Sequence, residues 1–129
     1  MIEWYWLALM MVFAHIIEDF HIQGLLAELK QKSYWRMGLT QNNPYARDYI
    51  PALICHGIEW SFIVHIPLMF VYGLEPIIFA MILFNAGIHA IIDNQKCNER
   101  TINLIQDQII HLIQIAFSLA VVSIVVWLW

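Results

Sequence analysis

Three histidine–aspartate pairs stand one helical turn apart in this chain: His15 with Asp19, His89 with Asp93, and, in reverse order, Asp107 with His111. A spacing of four puts two side chains about 40° apart on one helix face and roughly 6 Å apart along its axis. Imidazole and carboxylate together suit zinc, iron and manganese. The pairs, joined by His56, therefore predict one buried site for a divalent metal, with zinc the leading candidate. Four histidines and three aspartates exceed the ligand set of a mononuclear zinc site. The site then holds one or two ions, with two favoured, or some aspartates orient histidines instead of binding metal. The competing reading is a hydrogen-bonded polar core that fixes helix register.

Other polar residues share these faces. Gln23 follows Asp19 by four, and Asn85 precedes His89 by four. Gln114 and Ser118 extend the stripe from Asp107 and His111. Gln23, Asn85 and Gln108 are expected to orient ligands or substrate. Glu18 and Glu59 fall within a turn of the candidate ligands and are the candidate general bases, although charges beside a polar pocket would look the same. His21 lies off the face. His65, nine residues past His56, is expected on the opposite face of its helix. Cys55 points away from the His56 face, and Cys97 reads as a plain loop thiol.

The elements that must carry these residues are apolar helices. Of 129 residues, 61% are hydrophobic and only 12% charged, about half the charge share of a soluble domain, and the mean hydropathy is +0.67. The chain reads as an all-α integral membrane protein, a single four-helix bundle of up-down topology. The helices are expected at about residues 2–29, 50–72, 76–95 and 101–127, with a polar connection at about 30–49 that could cover the mouth of the site. Asn42-Asn43-Pro44 marks a turn within that connection. Trp4, Tyr5, Trp6, Trp127 and Trp129 suit interfacial belts. Pro67 predicts a kink. No basic n-region precedes the first apolar run, so that run is expected to remain as a span.

All six Lys and Arg residues lie in the first and third connections or at their edges. The positive-inside rule then places those connections in the cytoplasm and both termini outside. With that topology each Asp lies nearer the cytoplasm and its His a turn deeper, and the reversed order on the last helix is what a shared layered site requires. An acid at the centre of a membrane helix costs about 2.5–3.5 kcal/mol, so three unpaired acids would cost roughly as much as a domain's whole stability. Pairing or a bound cation must offset this. The two cysteines make no disulfide framework, and no small-xxx-small stripe marks a dimer interface, which leaves a homodimer open. The sparse basic loop argues against nucleic acid.

At these residues the chain resembles a family of small bacterial and phage inner-membrane proteins defined by a domain of unknown function. The shared pattern is His15-x-x-x-Asp19-Phe20-x-x-Gln23 in the first helix, Lys30 or Lys32 after it, His56 in the second helix, His89-x-x-x-Asp93 in the third and Asp107-Gln108-x-x-His111 in the last. It is similar, more faintly, to inner-membrane proteins described as metal-dependent hydrolases. The resemblance implies a multi-pass protein of the bacterial inner membrane, and supports the same site residues without supplying a substrate. The expected function is hydrolysis of a phosphate or acyl ester, on a lipid or small phosphoester, at the cytoplasmic leaflet. Alternatives are metal-ion or proton transport, haem ligation by facing histidines, and a structural or partner-binding role.

Overall fold

Gly57 sets the closest helix crossing. A Cβ there would stand 2.5 Å from the carbonyl oxygen of Ala86 and 3.3 Å from the Cβ of Ala90, so only glycine lets the two backbones approach this far. One turn on, Ser61 Oγ donates to the carbonyl of Ile82 at 2.8 Å. The small pairs Gly57/Ser61 and Ala86/Ala90 are thus spent inside the chain, between its second and third long helices.

The computed structural model describes residues 4–36 and 43–128. It contains α1 (Trp4–Ile17), the short α2 (Leu26–Leu29) and α3 (Lys32–Arg36), then α4 (Tyr49–Tyr72), α5 (Pro76–Asn94) and α6 (Leu104–Leu128). α1 and α5 each widen at their ends into a π turn, Glu18–Ile22 and Gln95–Glu99 respectively. With those turns included, four helices are long and apolar enough to cross a membrane. Trp129 and Asn42 fall outside the described residues.

The architecture is the expected all-α four-helix arrangement, with α4 packed on α5 and α1, and α6 against α5 and α1. The burial pattern is that of a protein solvated by lipid. Leu83, Ile105, Phe13 and Ile113 face outward, while histidines and carboxylates are buried. α4 runs through Pro67 without interruption. It buries more than one face, so His65 is also buried, with Nδ1 2.6 Å from the carbonyl of Ser61 one turn earlier.

The first long helix is shorter than the expected single run to residue 29. After the π turn, Gly24 takes a positive φ of 47°, a left-handed conformation that ends a right-handed helix. The chain then folds back as a strap, α2 and α3, across the end of the bundle. Asn98 ties the strap down: its Nδ2 donates to the Lys30 carbonyl at 3.0 Å, and its Oδ1 accepts from the Lys32 backbone N–H at 2.7 Å. Lys32 also donates to Glu99 Oε1, which raises the lysine's pKa above its ordinary value. The polar connection expected from about residue 30 thus begins with a short docked helix, α3.

The bundle interior divides in two. One half is an apolar core of Leu7, Met11, Val64, Leu68, Ile78, Ile82, Ile115 and Val122, closed by Trp60. The other half, between Trp60 and the strap, is filled by polar side chains.

Candidate metal centre

Trp60, one turn beyond His56 and fully buried, is the floor of the polar half. Its indole stacks on His89 with ring centroids 4.2 Å apart, and His89 stacks on His111 at the same separation. Its N–H donates to His15 Nδ1 at 2.9 Å. An indole can only donate, so this nitrogen of His15 is an acceptor and its Nε2 carries the proton. That Nε2–H meets Gln108 Oε1 at 3.0 Å, which turns the Gln108 amide nitrogen toward Asp107 Oδ2 (3.0 Å) and Asp19 Oδ2 (3.4 Å). Both ring nitrogens of His15 are therefore engaged, and it braces the site from one side.

A second chain of fixed roles ends on His111. Asn85 Nδ2 donates to the Met81 carbonyl at 2.9 Å and to Ser118 Oγ at 2.7 Å. Its Oδ1 therefore accepts from Gln114 Nε2 at 3.0 Å. Gln114 Oε1 in turn faces His111 Nδ1 at 2.9 Å, so that nitrogen donates. What remains is His111 Nε2, 3.3 Å from Asp107 Oδ1 and 3.9 Å from Asp93 Oδ1. In an uncharged imidazole this places a lone pair against two carboxylate oxygens. Only a positive charge between them, a proton or a metal ion, makes that arrangement favourable.

The centre of the cluster has the spacing of a ligand set. His56 Nε2 lies 3.2 Å from His89 Nε2, 3.2 Å from Asp93 Oδ2 and 3.7 Å from Asp19 Oδ1. His89 Nε2 lies 3.9 Å from both of those carboxylate oxygens. Two ligands held at about 2.0–2.1 Å by one tetrahedral ion stand about 3.3–3.4 Å apart, so small side-chain movements would close this set on a cation. Asp19 Oδ1, His89 Nδ1, His111 Nε2 and Asp107 Oδ1 are buried and lack a hydrogen-bond partner among the described residues. Buried polar atoms are otherwise almost always paired, and a cation is the partner that would satisfy the acceptors among them. Asp19, His56 and His89 thus form one group able to hold a metal, and His89, Asp93 and His111 form a second.

Glu18 and Glu59 sit on the other side of His56. Glu18, fully buried, has Oε1 3.2 Å from His56 Nδ1, and Glu59 joins these two in a third group of metal-binding geometry. Gln23 Nε2 is 3.3 Å from His56 Nε2.

The structure therefore gathers Asp19, His56, His89, Asp93, Asp107 and His111 around one centre, with Glu18, Glu59 and Gln23 against His56. His15, Gln108 and Asn85 lie around it as orienting groups. Sequence reasoning gave no role to Trp60 or to Lys96, which donates to Asp107 Oδ2 at 2.6 Å. Lys30 entered only through the family pattern. Its buried ammonium donates to Asp93 Oδ2 at 2.5 Å across 63 residues of sequence. The one available signal for Trp60 was its place four residues after His56. No protein-family model, curated protein or solved structure matches this chain.

Proposed function

We propose that this chain is a metal-dependent hydrolase embedded in the bacterial inner membrane, acting on a phosphate or acyl ester at the cytoplasmic leaflet. The observation that carries this reading is the convergence of imidazole and carboxylate atoms from all four long helices, several without donors, at ligand-like spacing. Asp19, His56, His89 and Asp93 would hold a divalent ion, zinc first among the candidates. Such an ion supplies a Lewis acid for an ester oxygen and acidifies water. Glu18, 3.2 Å from His56 Nδ1 on the side of the ring away from the ion, would orient that histidine as a ligand and raise its basicity. The basic strap and the lysines at the same end of the bundle fit a cytoplasmic position for that end. The resemblance to small bacterial and phage membrane proteins with the same His and Asp motifs supports the choice of site residues and the inner membrane, and supplies no activity.

Transport is the weaker reading. Beyond Trp60 the interior is mostly apolar core, and of the polar side chains buried with it Ser61 and His65 meet main-chain carbonyls while Asn85, Gln114 and Ser118 bond one another. The test is a hydrolysis assay in detergent and in vesicles with phosphate-ester and acyl-ester substrates, with and without added divalent metal. Metal-dependent turnover, reduced roughly 10–100-fold in Glu18→Gln through the loosened His56, supports the reading. Metal uptake into vesicles without hydrolysis of either ester contradicts it.

A further inference from the structure

The two groups at the middle of the site differ in what already neutralises them. In the first, Asp19 Oδ1 faces His56 and His89 with no donor. In the second, each carboxylate facing His111 already carries a lysine. Lys30 Nζ is 2.5 Å from Asp93 Oδ2, and Lys96 Nζ is 2.6 Å from Asp107 Oδ2. A buried carboxylate that already neutralises an ammonium gains little by also binding two divalent ions, because the positive groups would repel one another in a medium of low dielectric.

Lys30 is built into this position. Its backbone carbonyl accepts from Asn98 Nδ2 at 3.0 Å and is 3.6 Å from Cys97 Sγ. Both residues lie in the π turn that continues the helix carrying Asp93. The lysine and its carboxylate are thus fixed relative to each other by main chain as well as by side chain.

From this geometry, and resting on the metal-hydrolase reading above, we propose that Lys30 takes the part of the second ion in a two-metal site. One divalent cation sits at Asp19, His56 and His89. Lys30, sharing Asp93 with that cation, supplies the second positive pole. Two positive centres that share one carboxylate suit two oxygens of one phosphoryl group. A neutral acyl ester gives the lysine no negative charge to meet. The substrate class is therefore a phosphate ester, with Lys30 and the metal gripping its phosphoryl oxygens.

The experiment measures metal per chain by mass spectrometry and binding of radiolabelled inorganic phosphate by equilibrium dialysis. It uses wild-type protein, Lys30→Met and Lys30→Arg, all in detergent. The expected result is one divalent ion per chain in all three. Phosphate should bind the metal-loaded wild type and Lys30→Arg, and bind Lys30→Met roughly ten- to a hundred-fold more weakly. Should Lys30→Met fail to fold, the wild type alone decides: phosphate must protect Lys30 from an amine-reactive reagent in the metal-loaded protein. Two ions per chain in the wild type, phosphate binding unchanged in Lys30→Met, loss of the metal itself in Lys30→Met, or no phosphate binding to the wild type would each overturn the inference. No metal in the wild type would instead overturn the hydrolase reading on which it rests.

Discussion

The two halves of the bundle interior are packed by opposite means. On one side of Trp60, Leu7, Met11, Val64, Leu68, Ile78 and Val122 fill the space with apolar contacts. On the other, His56, His89, His111, Asp93, Asp107 and Glu18 fill it with titratable groups. In a soluble protein burial of the apolar half would dominate stability. In a bilayer lipid is as apolar as leucine, so that half is held by packing alone. The polar half is costly to bury and is compensated only by its partners. The difference assigns the first half to stability and the second to chemistry, with Trp60 belonging to both.

Trp60→Ala should therefore have the largest effect and blur the distinction. Removing the side chain is expected to cost about 3–5 kcal/mol. It also takes away the stack on His89 and the donor to His15. Unfolding in detergent and metal titration should both report the loss. Leu68→Ala should sharpen the contrast. A cost of about 2–5 kcal/mol is expected, with metal affinity unchanged, because Leu68 lies in the apolar half. A drop in metal affinity there would show that the halves are coupled.

Gly57→Ala tests the crossing that brings His56 to His89. The added carbon would stand 2.5 Å from a backbone oxygen, and a shift of α4 from α5 is expected to cost about 1–3 kcal/mol. Metal affinity should fall with it, because the 3.2 Å separation of the two imidazoles depends on that approach. Gln114→Ala should act mainly on the polar half. It removes the acceptor that fixes the His111 ring, which touches the ligand set through its stack on His89, so metal affinity should fall by less than about tenfold. Calorimetric metal titration would measure it, and a fall of about a hundred-fold or more would make His111 a ligand of the ion.

Much of this was legible from spacing alone. A repeat of four on an apolar helix puts His and Asp on one face, and lipid leaves such a face nowhere to turn but inward. The four long helices followed from apolar run length. What spacing could not give were contacts made across the sequence. Lys30 reaches Asp93 only because Gly24 turns the chain back over the bundle. Periodicity carries no sign of a positive φ, so the first helix was read through to residue 29. Gly57/Ser61 and Ala86/Ala90 each have small-xxx-small spacing, and spacing alone does not distinguish a crossing within one chain from one between two. They serve a crossing within the chain. The nine-residue offset puts His65 on the face opposite His56, but offset alone does not say that this face is also buried, as it is because α4 packs against both α1 and α5. His15 looked equivalent to the other histidines until Trp60 and Gln108 occupied its two nitrogens.

The most direct test of the central claim, that the polar half is a metal centre, is metal content per chain. It would be measured by mass spectrometry on detergent-purified protein prepared without chelators, beside a His56→Gln, His89→Gln double variant shown by circular dichroism to remain helical. Stoichiometric zinc, iron or manganese in the wild type, absent from the variant, is the predicted result. A wild type without metal that folds and melts like the variant would contradict it, and would leave the cluster as a hydrogen-bonded core that sets helix register.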